Sequence, residues 1–254
     1  MQILIMKKFF FSAILILPSF CFSQVVNIES QRLQSDSTGW LGGAGADFSY
    51  TDNGNQTISA SAFSQIEYKA KKELWLILGE YSLFKGNGED FINSSFGHLR
   101  YNRKFGKVLR WEAFTQLQYN EVTKINVRFL LGTGPRFKLM DKKKLKIYTA
   151  SLYMFEYEEE ADEFRTIHRQ HRSSSYLTFT FTPTENISLI STTYYQPLFT
   201  FIGDYRILNQ ETIGVDLGKH FTISLKWNFL FDSRPVEGVP NRIISLNTGI
   251  EFIF

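Results

Sequence analysis

The chain is short of most residues that small exported folds lean on. It has one cysteine, Cys21, in 254 residues, so no intramolecular disulfide forms and a Cys-ligated metal site is excluded. Four histidines and six prolines are spread thinly. There is no Pro- or Ser-rich linker, no low-complexity tract and no long block of one charge, so nothing divides the chain into two domains. Beyond the first two dozen residues no segment approaches eighteen apolar residues, so a membrane-crossing helix is not available there. Lys and Arg (28) nearly balance Asp and Glu (25). That balance, with no helix-turn-helix, zinc or phosphate-loop pattern, argues against nucleic acid as a partner. Gly42, Gly43 and Gly45 are not a phosphate loop, because no helical pattern follows them; they read as close approach or a bend in a strand, as do Gly132 and Gly134.

Aromatic residues are what the chain has in excess: 25 Phe, 12 Tyr and 4 Trp, 16% of the sequence. A sheet that shows lipid one face and places aromatic girdles at both interfaces uses rings in this number. The first residues read as a secretory signal. Lys7 and Lys8 supply positive charge, Phe9 to Leu17 an apolar stretch, Pro18 a break, and Cys21-Phe22-Ser23 the cleavage region, with cleavage expected before Gln24. The stretch is shorter than the ~20 residues of a spanning helix, and Phe22 after Cys21 does not suit a lipoprotein. Cleavage removes the cysteine and two lysines, lowering the formal charge from +3 by two, to +1. The expected division is residues 1–23 signal peptide, 24–37 a short periplasmic segment and 38–254 one β-barrel.

From Thr38 onward the chain alternates with period two. Leu109, Trp111, Ala113, Thr115, Leu117 and Tyr119 alternate with Val108, Arg110, Glu112, Phe114, Gln116 and Gln118; Phe221, Ile223, Leu225, Trp227, Phe229 and Phe231 alternate with Thr222, Ser224, Lys226, Asn228, Leu230 and Asp232. Such segments are strands whose two faces meet different surroundings. A water-soluble sandwich would turn the apolar face inward. Three features favour the inverse: segments longer than the ~5–6 residues of globular strands, opposite charges in mid-strand such as Arg110 and Glu112, and rings near strand ends.

Twelve segments are expected: 38–51, 56–69, 74–84, 94–105, 107–120, 124–138, 144–156, 173–183, 187–197, 206–217, 220–232 and 241–254. Short connections on one side and longer ones at 85–93, 157–172, 198–205 and 233–240 on the other match the outer-membrane pattern of a Gram-negative bacterium, short turns periplasmic. The expected fold is therefore all-β: a closed, antiparallel, up-and-down transmembrane β-barrel with both termini periplasmic. Closure removes the sheet edges. Phe252 and Phe254 end the last strand in the manner of an outer-membrane assembly signal.

The polar face offers a candidate lumen set: Asp47, Glu67, Glu80, His98, Arg100, Arg110, Glu112, Arg128, Arg136, Lys146, Glu156, Asp216, Lys226 and Glu251. These groups either pair across neighbouring strands and fill the lumen or form a constriction for small polar solutes, with Arg100, Arg110, Arg128 and Arg136 favouring anions and Lys226 adding charge. Segment 157–172 carries an acidic arm followed by a basic one, able to fold back as a hairpin; His168 and His171 there, with the carboxylates, are a candidate divalent-metal pair, although the spacing fits no specific motif. A rival hydrolase reading has one constellation to offer, His98 with Ser94, Ser95, Glu89 or Asp90 near a rim, and no Gly-x-Ser-x-Gly elbow. The expectation is no enzyme and no cofactor. The expected partners are outer-membrane lipids, lipopolysaccharide and the barrel-assembly machinery.

The run from Trp111 to Asn120 followed by Arg128-Phe129-Leu130-Leu131-Gly132-Thr133-Gly134-Pro135-Arg136-Phe137 resembles a family of uncharacterised barrels described as salt-induced outer-membrane proteins. The likeness covers Thr38 to Phe254, with Arg128–Gly134 its strongest piece, and Pro135 inside a strand departs from ordinary ladders. It implies a small outer-membrane barrel, a domain of unknown function, and no site residues.

Overall fold

The computed structural model describes residues 38–252 apart from 53, 219 and 220. The signal peptide, the 24–37 segment, His220 and Phe254 lie outside the described residues, as do the side chains of Asp47, Glu89, Asp90, Glu251 and Phe252. Twelve strands follow one another: β1 Gly39–Asp52, β2 Gln56–Lys69, β3 Glu73–Gly86, β4 Glu89–Lys104, β5 Leu109–Asn120 and β6 Ile125–Lys142, then β7 Leu145–Glu160, β8 Ile167–Thr184, β9 Ile187–Pro197, β10 Tyr205–Leu217, β11 Phe221–Asp232 and β12 Arg242–Phe252. Each pairs antiparallel with its neighbours in sequence, giving a single meander from β1 to β12.

The long-connection side is tighter than the sequence reading has it. The expected 85–93 loop is a two-residue turn at Asn87 and Gly88, both with positive φ (51° and 87°), the primed turn whose twist matches flanking strands. The charged segment 157–172 does fold back: β7 continues to Glu160 and β8 starts at Ile167, with Glu158 opposite His168. Its turn is held by Asp162, which accepts from the Thr166 amide (2.8 Å) and hydroxyl (2.6 Å).

The expected closure is not seen: among the described residues no ladder joins β12 back to β1. Gly42, Gly43 and Gly45 leave β1 with few side chains to pack, which weakens a strand. The sheet nevertheless curls far enough for contacts across its interior. Tyr176 on β8 reaches Glu112 on β5 (2.9 Å), Arg206 on β10 reaches Glu156 on β7 (2.6 Å), and Lys124 after β5 reaches the carbonyl of Glu237 before β12 (2.6 Å).

The two faces are inverted relative to a water-soluble sheet. Trp75, Ile77, Leu117, Leu131, Leu177 and Ile213 stand exposed on the outside, while Arg100, Glu112, Arg136, Thr192 and Gln210 are buried inside. On the outer face near the short-turn end, the Trp111 indole donates to Thr133 Oγ1 (2.8 Å), which satisfies the one polar edge of the ring.

Candidate functional site

The interior is layered, and β7 shows the layers in order. From its short-turn end the inward residues are Lys146, Tyr148, Ala150, Leu152, Met154, Glu156, Glu158 and Glu160. Its neighbour β6 repeats the sequence from the same end as Lys138, Arg136, Gly134, Gly132, Leu130 and Arg128. A cationic end, an apolar middle and a charged cup at the long-loop end follow one another.

In the cup, Glu156 accepts from Arg206 Nη1 (2.6 Å) and forms ion pairs with Arg172 Nε (3.0 Å) and Arg128 Nε (3.5 Å). Glu158 binds Arg128 Nη2 (2.5 Å) and faces Arg206 Nη2 (3.4 Å). Asp204 takes Arg172 Nη1 (2.8 Å) and Asp232 takes Arg206 Nε (2.7 Å). Three guanidiniums thus meet four carboxylates, across five strands and the residue preceding β10. Charges this buried persist because each fork is matched to oxygens. They wall a cavity of about 380 Å³ whose other lining includes Phe114, Leu152, Met154 and Tyr194 below and Val236 and Val239 from the 233–241 loop above.

The middle layer is apolar: Phe114, Leu130, Ala150, Leu152, Met154, Tyr176 and Tyr194 pack together inside, with Leu208 against them. Gly132 and Gly134 make room for it. A Cβ on Gly132 would run into the Phe114 ring, and one on Gly134 would lie 2.5 Å from the Ser151 carbonyl oxygen. The sequence reading of these glycines as points of close approach agrees with this geometry. A smaller apolar cluster, Leu76, Leu78 and Phe96 with Leu74, fills the β3–β4 arc.

Beneath it Glu112 stands between Arg100 (3.5 Å) and Arg136 (3.6 Å) and accepts from the Tyr176 hydroxyl. The Arg136 guanidinium lies 4.4 Å from the Tyr148 ring centre and Arg110 lies 5.1 Å from the same ring.

Six of the fourteen expected lumen residues, Arg100, Arg110, Glu112, Arg128, Arg136 and Lys226, point inward but do not make one constriction. Arg100 and Arg136 are matched to Glu112, and Arg128 belongs to the cup with Glu156 and Glu158. Lys226 stands on the opposite arc and interacts electrostatically with Glu80 on β3. His98 sits in mid-β4 rather than near a rim, its Nδ1 2.9 Å from Gln116 Oε1 and its ring stacked between Phe96 and Phe114. Ser95 points to the other face. His168 and His171 lie on opposite faces of β8, His168 Nε2 against Glu160 (2.7 Å) and His171 Nδ1 against the Tyr153 hydroxyl (2.5 Å), so the two cannot share a metal ion.

Residues 33–254 match the family model described as "Protein of unknown function, DUF481". The chain belongs to this family. The DUF481 match spans the whole meander and begins just ahead of β1. Among solved structures, the DUF481 chain is similar to the one titled "NanC porin structure in rhombohedral crystal form", with a TM-score of 0.53 at 11% identity, over 85% of this chain and 99% of that one. That likeness is one of fold. No curated protein matches.

Sequence reasoning missed most of the cup of this DUF481 barrel. Glu158, Arg172, Asp204, Arg206 and Asp232 were absent from the candidate set. The usable signal was parity: Glu156, Glu158 and Glu160, then His168, Gln170 and Arg172, keep the two-residue period straight through the segment read as a loop.

Proposed function

We propose that this protein is an outer-membrane barrel that passes small polar solutes through a narrow, off-centre passage. The carrying observation is the inverted sheet: apolar side chains outside and a matched charge network inside. That arrangement suits a wall with lipid outside and water within. The likeness to a porin supports the fold that such a channel needs. The packed layer comes from β5 to β10. The arc from β11 through β12 and β1 to β2 carries Gly43, Gly45, Ser61, Asn228, Ser245 and Asn247 on its inner face, with Phe63 lying over Gly45, and is the side where we place a passage. Export by a cleaved signal peptide, periplasmic termini, contact with lipopolysaccharide and induction by osmotic conditions belong to the same reading.

A second reading, a structural surface protein with a plugged lumen, is favoured by one observation: Leu152 and Met154 are almost fully buried in mid-lumen. Conductance of the purified protein in planar bilayers separates the two. Stepwise openings altered by a charge swap at Arg128 support the channel; a silent membrane refutes it and leaves the plug. Heat-modifiable migration on a gel tests the barrel itself, and a single band at all temperatures refutes it.

A further inference from the structure

The four arginines expected to favour anions do not act as one group. Arg100, Arg128 and Arg136 are matched to glutamates. At the short-turn end, however, inward cations gather along one arc. Lys69 closes β2, Lys104 closes β4, Arg110 opens β5, Lys138 follows Arg136 on β6, and Lys146 opens β7. Lys104 lies within electrostatic reach of Lys69, Arg110 and Lys138 together. The carboxylates on this arc are Asp141, which pairs with Lys138 and also senses Lys146 and Arg110, and the buried Glu67. Five cations against two carboxylates leave an excess of three positive charges. Asp216, on the facing arc, accepts from Thr222 (2.7 Å).

We propose that this collar at the short-turn mouth is an anion site, and that the solutes of this barrel are small carboxylate- or phosphate-bearing anions. The inference rests on the channel reading for its word "solutes" but on the collar alone for its word "anion". Like charges gathered on the inner face at a mouth raise the local potential and concentrate counter-ions there. The cup at the other end has no such excess, its three guanidiniums facing four carboxylates. An anion entering from the cup therefore meets a field that becomes more favourable toward the collar, which gives the passage a direction of preferred occupancy. Two of the five members, Lys69 and Lys104, end their strands, where a sequence reading takes lysine for turn solvation.

The test uses the full mature chain, wild type beside Lys104→Gln/Lys138→Gln. A control, Lys71→Gln/Lys72→Gln, removes the same charge from the exposed turn after β2, outside the lumen. Two readouts are taken. One is the reversal potential across a KCl gradient in planar bilayers at low salt. The other is calorimetric binding of inorganic pyrophosphate to the protein in neutral detergent. The collar predicts an anion-over-cation permeability ratio of about threefold or more, falling toward unity near 1 M salt where the Debye length shrinks to about 3 Å. It also predicts pyrophosphate binding weakened at least about fivefold in the collar variant and unchanged in the control. Cation preference, or equal pyrophosphate binding in wild type and collar variant, overturns the proposal. A silent bilayer with collar-dependent pyrophosphate binding overturns the channel reading and keeps the anion site.

Discussion

Replacing Glu112 by Leu tests whether the lower charge cluster holds the barrel together. Glu112 is fully buried, and both guanidiniums that flank it are 98% buried or more, at 3.5 and 3.6 Å. The substitution removes the negative centre, leaves two like charges facing each other across an apolar side chain, and takes the acceptor from the Tyr176 hydroxyl. Removing one partner of a buried ion pair costs roughly 3–5 kcal/mol, because the remaining charge stays desolvated. Conversion at ~1.4 kcal/mol per tenfold makes that a drop of at least a hundredfold in the folding equilibrium. The assay is urea unfolding in lipid vesicles, read by loss of heat-modifiable migration. Glu112→Gln is expected to lose less, since its amide oxygen still accepts from Tyr176. Glu112→Leu combined with Arg136→Leu is expected to recover part of the loss by removing one stranded charge. An unfolding midpoint for Glu112→Leu within error of wild type would refute the reasoning. It would mean that water reaches the arginines and that the lower lumen is wet.

Three smaller expectations follow from other parts of the wall. Gly134→Ala drives a methyl against the Ser151 carbonyl and the Leu152 backbone, and overpacking of this kind costs about 1–3 kcal/mol; Gly132→Ala meets the movable Phe114 ring instead, so the same urea titration should rank it milder. Lys124→Ala releases the 233–241 loop from its tie to the Glu237 carbonyl; limited proteolysis should cut that loop faster while global stability moves by no more than about 0.5 kcal/mol. The Asp162 carboxyl, in the turn between β7 and β8, is held below the ordinary carboxylate range by hydrogen bonds from the Thr166 side chain and backbone. A depressed native pKa stabilises above the unfolded value and is lost as pH falls through the native one. Amide exchange at Thr166 should therefore stay slow at neutral pH and speed up in acid, and Asp162→Ala should remove that pH dependence.

The strands were legible because their period is two and one face is apolar along most of each, as in Trp111 to Tyr119 or Phe221 to Phe231. The turns were less so. Asn87-Gly88 is a strong hairpin signal, yet the mostly polar stretch around it, Lys85 to Asn93, read as a nine-residue loop. The cup was hidden for a related reason: charge-rich residues 157–172 resemble solvated loop, and only an enclosed partner such as Arg206, 50 residues from Glu156, tells strand from loop there. The apolar layer was invisible from sequence in principle. Leu152 and Met154 share parity with Glu156, and a rule assigning the inner face to polar residues passes over them. Gly132 and Gly134 pointed to close packing, but what packs there depends on three-dimensional neighbours such as Phe114 and Leu152.

The contacts across the interior bear on how such a sheet acquires its curvature. Among the described residues every ladder joins strands adjacent in sequence, so each hairpin forms with a short loop to close, and the entropy of closure grows only slowly with length. Ladders of that kind specify register and twist, but none of them specifies that the twelfth strand comes round toward the first. The ties between Tyr176 and Glu112, 64 residues apart, between Arg206 and Glu156, 50 apart, and between Lys124 and Glu237, 113 apart, each span strands that share no ladder. They act as staves' hoops set from within, drawing distant hairpins onto one circumference ahead of the seam. On this view the charged interior is the template for the curvature of the sheet.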